Sequence, residues 1–233
     1  MADRKLTREQ YVDVACDYCG KNIRTRIYPI ININEVPKLR QKITSAGLFV
    51  LKCPSCAKDV MFPYSTIYSD DIKGLIVSLA CGEEEYKEAL SLNKSNDMYG
   101  NMMRSINANG ELRIVRTPLE LAEKVCIKED HYDDRIMELM KFHLLLKMKE
   151  QGNDASVMYY MIKDKKAQLA VLLKNGTAGS IPFQDTWYQE AAAAYSASVK
   201  KMKDHPVVVD QKWASSFLRP VNIEEDGEGV SID

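Results

Sequence analysis

The sequence predicts an α+β fold, with a small N-terminal module followed by a larger region of mixed helices and antiparallel strands. Three observations support this prediction. Several segments alternate apolar and polar residues with a period of two, as half-buried strands do. Other segments combine helix-start signals with apolar residues at helical spacing. Two closely spaced cysteine pairs, Cys16 with Cys19 and Cys53 with Cys56, mark the N-terminal module.

The N-terminal module is predicted to span residues 1–70 and to arrange its strands and one short helix around the two cysteine pairs. The segment 23–33 alternates apolar and polar residues through Tyr28, which indicates a strand. A proline near its start and a glycine past its end define the short helix. The predicted order is the first cysteine turn, a strand at 23–33, a helix at 37–43, a strand at 48–51, the second cysteine turn and a strand at 60–62.

The second region is predicted to span residues 71–222 and to pack on or beside the first module, and whether the two share one core is left open. Its sharpest signal is Thr117-Pro118-Leu119-Glu120, in which Thr can cap a helix, Pro suits the first turn and Glu completes a capping box. The other predicted elements are a short helix or buried strand at 74–81, helices at 83–92, 118–126, 133–149 and 186–203, a polar loop at 94–101, a hairpin at Asn109-Gly110, two or three strands within 157–183 with turns at 164–166 and 175–176, and a last strand at 207–209. Asp185 is the predicted cap of the helix at 186–203, and residues 223–233 form an acidic tail that we expect to be disordered.

The composition is that of an ordinary globular protein. Lys and Arg number 32, Asp and Glu number 33, the net charge is -1 and 45% of the residues are hydrophobic. The longest uncharged apolar runs, 74–82 and 167–173, fall far short of the roughly 18–20 residues that a bilayer span requires. The first residues, Met-Ala-Asp-Arg-Lys, lack the apolar core of a secretion signal, so we expect a cytoplasmic protein.

The spacing of the cysteines predicts a structural zinc site. In a reducing compartment, C-x2-C pairs are more often metal ligands than disulfides. Each tight turn places two sulfurs on one side of the chain, so two turns supply the four corners of a tetrahedral site. The predicted ligands are Cys16, Cys19, Cys53 and Cys56, and two such turns meeting at one ion make the N-terminal module zinc-ribbon-like, with the short helix inserted between them. Four thiolates leave no open position for a catalytic water. Unmetallated cysteines and two redox pairs remain as alternatives, although a strand after Lys21 argues against a thioredoxin-type site, which would open a helix.

These motifs resemble the CpXC family. The similarity rests on Cys16-Asp17-Tyr18-Cys19-Gly20, on Cys53-Pro54-Ser55-Cys56, on the stretch from Phe62-Pro63-Tyr64 to Tyr68 and on a weaker match from Arg113 to Arg135. The similarity covers roughly residues 12–145. It implies a mostly bacterial, zinc-binding domain, and it implies no particular activity. Two positions depart from the family pattern. Asp17 stands where Pro is usual, and Ala57 follows the second pair where Gly is usual, so we expect slight strain in that turn.

Other residues that could act as metal ligands or catalytic groups are assigned structural roles. The histidines have no second histidine at ligand spacing, the acidic groups suit helix starts, and the remaining cysteines behave as small core residues. These residues are His131, His143, His205, Asp133, Asp134, the acidic run at 83–85, Cys81 and Cys126.

The leading functional hypothesis is a non-catalytic scaffold or protein-interaction protein folded around the zinc. The first alternative is a nucleic-acid-binding protein, because residues 1–66 hold 11 basic and 6 acidic residues interleaved with aromatics. That bias is mild, and we expect the aromatics to fill the core of the module instead. The basic candidates are Arg24, Arg26, Lys38, Arg40, Lys42 and Lys52, and the aromatics are Tyr18, Tyr28, Phe49, Phe62, Tyr64 and Tyr68. The second alternative is an enzyme whose site lies in residues 70–220.

Overall fold

The computed structural model describes residues 6–94, 110–202 and 205–219, and it confirms the predicted α+β class. The strands are β1 (Arg8–Ala15), β2 (Asn22–Asn32), β3 (Val50–Lys52), β4 (Asp59–Met61), β5 (Thr66–Asp70), β6 (Leu75–Leu79), β7 (Glu111–Val115), β8 (Ala155–Lys163), β9 (Lys166–Leu173) and β10 (Ala178–Pro182). The helices are α1 (Arg40–Thr44), α2 (Glu83–Lys94), α3 (Pro118–Glu129), α4 (Asp134–Glu150), α5 (Asp185–Lys200) and α6 (Gln211–Phe217). None of the helices in these ranges combines the length and apolar character that a bilayer span requires.

The larger sheet has five strands in the order β1-β2-β5-β6-β7, with parallel pairing of β2 to β5 and of β6 to β7. The ambiguous segment 74–81 forms strand β6, because Leu75, Val77 and Leu79 all lie on the buried face. The sequence did not predict β1 or β5. Side chains of β1 are almost all exposed, so this strand depends on backbone pairing with β2 rather than on an apolar pattern.

The second sheet has three antiparallel strands in the order β10-β9-β8, which confirms the strands predicted within 157–183. Both predicted turns are present. Asp164 and Lys165 have positive φ between β8 and β9, as the tight two-residue hairpin turn requires. Gly176 has a φ of 84° between β9 and β10, a conformation that a glycine adopts at little cost.

The helix signals were correct for α3 and α4. Thr117 and Glu120 form the predicted capping box, and the Asp133 carboxylate caps α4. The predicted cap at Asp185 was wrong, because this residue lies inside α5 and its carboxylate accepts a hydrogen bond from the Tyr132 hydroxyl instead. The helix also ends at Lys200 rather than at 203.

The segment 207–209 was predicted as a strand and is irregular instead. Its backbone makes a single contact of the strand type, in which the Ile114 N–H donates to the Val207 carbonyl at 2.8 Å. The chain then enters α6, a helix that the sequence analysis missed and that the Asp210 carboxylate caps. The predicted hairpin at Asn109-Gly110, the loop after Lys94 and the tail at 223–233 involve residues outside the described ranges.

Apolar side chains form two main core clusters. One lies between the five-stranded sheet, α1 and α3, and it takes residues from both sides of residue 70. The other lies between α4, α5, α6 and the three-stranded sheet. Helix α3 joins them, since Leu121 and Val125 belong to the first cluster while Cys126 and Ile127 belong to the second. The boundary at residue 70 stays a prediction.

A network of buried charges crosses the molecule beside α3. The Asp134 carboxylate accepts two hydrogen bonds from the Arg113 guanidinium at 2.7 Å and forms an ion pair with Lys124 at 2.8 Å. Lys124 also donates to the Val209 carbonyl at 2.8 Å, which anchors the segment before α6. These three charged side chains are almost fully buried. The charge of each is therefore compensated by the others, because water is excluded from them.

A second buried group of charges adjoins the first. The Lys141 ammonium contacts Glu123 at 2.8 Å and Glu138 at 2.7 Å, and it donates to the Met158 carbonyl at 3.1 Å. Burial raises the pKa of the Glu138 carboxyl. The two groups together balance three cations with three carboxylates, so no net charge is buried here.

The variant Asp134→Asn tests this network. Burial alone would raise the pKa of the Asp134 carboxyl, but Arg113 and Lys124 hold it well below its ordinary value. The amide leaves both cations without their counter-charge, so the free energy of unfolding from urea titration should fall by about 3–5 kcal/mol. In the native protein this contribution should be complete above about pH 5, and it should be lost progressively as the pH falls through the ordinary Asp pKa of about 4 toward the lowered native value. The same change at exposed Glu84, Glu84→Gln, should cost less than about 0.5 kcal/mol. Equal effects of the two variants would contradict the structural role of the network.

Candidate metal centre

Each cysteine pair occupies the turn of a β-hairpin. The first pair lies between β1 and β2, and the second lies between β3 and β4. These two hairpins belong to different sheets, with no strand pairing between them. The helix α1 and its flanking segments form the connection from the first hairpin to the second, which accounts for the long interval between the pairs.

The two turns have the same backbone structure. In the first, the Cys16 N–H donates to the Lys21 carbonyl at 2.9 Å and the Gly20 N–H donates to the Cys16 carbonyl at 2.8 Å. In the second, the matching bonds run from Cys53 to Lys58 and from Ala57 to Cys53, both at 2.9 Å. The residue after each pair adopts the left-handed conformation, with φ of 69° at Gly20 and 57° at Ala57. The strain expected at Ala57 follows from this conformation, because a Cβ is disfavoured there.

The four sulfur atoms lie close together, all within 4.8 Å of one another. Two distances between the turns, Cys16 Sγ to Cys56 Sγ and Cys19 Sγ to Cys53 Sγ, are both 3.7 Å. A disulfide would require about 2.05 Å. Four sulfurs at about 2.3 Å from a central zinc ion would be separated by about 3.8 Å, so the donor set fits a tetrahedral metal.

Burial differs between the two members of each pair. Cys16 and Cys53 are buried, Cys56 is half-buried and Cys19 is exposed. A small apolar cluster surrounds the sulfurs, and its buried members are Cys16, Ile23, Cys53 and Val60. The cluster is small, and farther from the sulfurs Ile27 of β2 and Phe49 beside β3 both belong to the first core cluster.

The thiols differ strongly in acidity. Backbone N–H groups of Cys56 and Ser55 lower the pKa of Cys53 to about 6. A backbone N–H of Lys58 also favours the thiolate of Cys56, but burial and the neighbouring thiols outweigh it and raise the pKa of Cys56 to about 12. One thiolate therefore forms readily, and further negative charge in the cluster requires a cation.

The other sequence candidates lie away from this cluster. Cys126 is buried, its thiol donates to the Thr44 carbonyl, and burial raises its pKa to about 11. Burial also raises the pKa of half-buried Cys81. His143 Nε2 contacts the Tyr195 hydroxyl at 2.7 Å, and His131 occupies a turn with φ of 62°. The acidic run at 83–85 begins α2, as the sequence analysis expected.

The predicted basic residues do not form one surface. Arg24, Arg26 and Lys42 border one groove together with Lys52. Arg40 instead forms ion pairs with Asp70 and Glu129 on the other side of α1, and Lys38 borders that side as well. Most of the aromatics are core residues, because Phe49, Tyr64 and Tyr68 are buried and Phe62 packs against them, whereas Tyr18 is exposed.

The family described as CpXC protein matches residues 14–141, which is more than half of the chain and includes both cysteine pairs. No curated protein and no solved structure matches the sequence.

Exchanging the residues that follow the cysteine pairs tests the equivalence of the two turns. Gly20→Ala should lower the free energy of unfolding by about 1 kcal/mol, because a Cβ disfavours this backbone conformation although no atom lies near enough to clash with it. Ala57→Gly should raise it by about 0.5–1 kcal/mol for the same reason. Gly179→Ala, in open space on β10, is the control, and because its backbone is in a strand the same change should be neutral or raise the free energy of unfolding by up to about 1 kcal/mol. Destabilisation by Ala57→Gly in thermal or urea unfolding would show that the turns are not equivalent.

Proposed function

Since the chain belongs to the CpXC family, and since its four clustered cysteines could hold a metal ion, we propose that it is a protein-interaction scaffold built around one structural zinc ion. The proposed ligands are Cys16, Cys19, Cys53 and Cys56. The observation that carries this proposal is the convergence of four sulfurs from two hairpins that are otherwise unpaired.

The chemistry of the donor set favours zinc. Four thiolates in a tetrahedral arrangement suit Zn2+ and iron, whereas hard cations such as Mg2+ and Ca2+ prefer oxygen ligands. When bound, zinc would supply the positive charge that allows all four cysteines to ionise. Ile23 and Val60 pack with Cys16 and Cys53 in a buried cluster, and burial of these two cysteines suits a permanent structural ion.

The same donor set supports a structural role rather than a catalytic one. A catalytic zinc site keeps one position for water or substrate, and four cysteine ligands fill all four positions of a tetrahedral ion. The ion would join the β1–β2 hairpin to the β3–β4 hairpin and so stabilise the N-terminal module. We place the protein in a reducing compartment, the cytoplasm, where such thiols persist.

The two alternatives have less support. Binding of nucleic acid was predicted to use one basic stripe. Lys38 and Arg40 cannot be part of that stripe, because they lie on the other side of α1 from the other basic residues. An enzyme site within residues 70–220 would best fit the cavity of about 240 Å³ beside α3, which Glu138 and Lys141 border. The Lys141 ammonium already has three acceptors, so this cation is engaged in holding the fold.

Metal analysis of the purified protein, combined with a cysteine variant, tests the proposal. We expect one zinc per chain, and Cys53→Ser should lose it because three thiolates bind zinc far more weakly. Hydrogen exchange in the segments 8–32 and 50–61 should then accelerate, while exchange in α4 and α5 stays slow. Cys81→Ser, which changes a thiol outside the cluster, is the matched control and should keep its zinc.

Chelation of the wild-type protein should give the same local loss of protection as Cys53→Ser. A protein that contains no metal as purified, and whose two hairpins exchange slowly before and after chelation, would overturn the proposal. Tight binding of iron in place of zinc would overturn the identity of the ion while keeping the four ligands.

A further inference from the structure

A groove separates β2 from β3 next to the cysteine cluster. It has a volume of about 450 Å³ and is bordered by residues 23–26 and Tyr28 on one side and by residues 47–48 and 50–52 on the other. Helix α1 and the segment before it contribute Lys42 and Leu39 to the groove. At one end, Ile23 and Leu51 also contact the apolar cluster around the sulfurs.

The first wall of the groove is an open strand edge. On its other side β2 pairs with β1 along almost its whole length, but on the groove side its pairing with β5 begins only at Ile30. The Tyr28 N–H and carbonyl point to the groove side, where they bond the side chains of Tyr64 and Thr66. Because backbone groups alternate along a strand, those of Arg24 and Arg26 face the same side. No described strand pairs with them there.

The second wall is also a strand with an open edge. Within the described ranges β3 pairs with β4 alone, so the main-chain groups of Val50–Lys52 on the opposite edge have no strand partner. An edge of this kind accepts an additional strand from another chain. Two such edges bordering one groove can bond both sides of an inserted segment.

The charge of the groove is positive. Arg24, Arg26, Lys42 and Lys52 border it, and no acidic residue does. Arg26 is already paired, because it contacts Glu9 at 3.0 Å and bonds the Tyr11 hydroxyl. Arg24 lies over the Tyr11 ring, 5.7 Å from its centroid, but Arg24, Lys42 and Lys52 make no ion pair among the described residues.

From these features we infer that the groove binds an extended acidic peptide segment of a partner protein, which adds as a strand between β2 and β3. An extended residue occupies about 3.3 Å along the strand, 4.8 Å across it and 10 Å through the sheet, so the groove holds about three residues. Acidic side chains at alternate positions would meet Arg24 and Lys52, and apolar ones between them would face Ile23, Leu39 and Leu51.

The geometry favours a peptide over a nucleic acid. The open edges offer main-chain N–H and carbonyl groups in the spacing of a strand, which a peptide backbone matches and a phosphate backbone does not. Binding of single-stranded nucleic acid usually needs several exposed aromatic faces for stacking, and Tyr28 is the one aromatic residue that borders the groove. This inference rests on the proposed interaction role and names the surface and the partner chemistry for it.

The probe is a fluorescent heptapeptide of alternating Glu and Val, with a Lys-for-Glu version as the charge control, titrated against the full chain. The Glu peptide should bind and the Lys peptide should not. The double variant Lys42→Glu, Lys52→Glu should weaken binding by about tenfold or more. Lys38→Glu is the control for one such charge reversal, since Lys38 is exposed and does not border the groove, and it should leave the affinity within about twofold, whereas Lys42→Glu alone should weaken it more than that.

N-methylation of the peptide backbone tests strand addition directly. Methyl groups on alternate residues, in either register, should abolish binding, because an inserted strand uses its N–H groups toward both walls. Retained affinity of the methylated peptides would overturn strand addition. So would equal weakening by Lys38→Glu, or groove-dependent binding of a poly-dT oligonucleotide with no binding of the Glu peptide.

The metal measurement separates failure of this inference from failure of the proposed function. Zinc content is determined on each variant, and the Glu peptide is titrated before and after chelation. A zinc-containing protein that does not bind the peptide overturns the inference and leaves the structural zinc in place. Peptide binding by a metal-free, folded protein overturns the zinc and keeps the groove.

Discussion

At the N-terminal end of the molecule, four sulfur atoms converge from two separate hairpins. The hairpins belong to different sheets, and the buried apolar cluster between them has four members, two of which are cysteines themselves. Elsewhere the fold is held by two larger cores that α3 joins. Ile27 of β2 and Phe49 beside β3 place both hairpins against the first of these cores, but buried apolar surface is scarce at the cysteines themselves. A metal ion at the four sulfurs would add a bond between the turns there, as structural metals do in small modules.

This constraint explains several local features together. Both turns have the same pair of backbone hydrogen bonds and the same left-handed residue after the second cysteine, since each must present two sulfurs in one direction. The constraint also positions the open edges of β2 and β3, whose ends lie beside Ile23 and Leu51 at the sulfurs. A metal ion bound at the sulfurs would therefore also help to fix the separation of the two walls of the groove.

The sequence predicted those features that arise from local signals. The capping box at Thr117 and the turn at Asn175-Gly176 depend on neighbouring residues, and both were found as predicted. The two C-x2-C pairs are local motifs as well, and their four sulfurs lie close together. Strand β1 was missed because its side chains are exposed and its stability comes from pairing with β2. The irregular path at 207–209 depends on two side chains that are distant in sequence. Arg113 donates to the Pro206 carbonyl just before the segment, and Lys124 donates to the Val209 carbonyl. No local sequence pattern predicts such contacts. Nor does any local pattern predict the groove between the open edges of β2 and β3.

The two groups of polar residues in the interior differ in how their charge is compensated. Around α3, three cations meet three carboxylates within the chain, so that network is complete without any bound ion. Around the four sulfurs, the groups that shift the pKa values of Cys53 and Cys56 are backbone N–H groups, burial and the other thiols, and no cationic side chain is among them. Backbone dipoles can stabilise one thiolate, but they do not neutralise four. If all four cysteines ionise together, a divalent metal at the centre of the sulfurs would compensate their negative charge most directly.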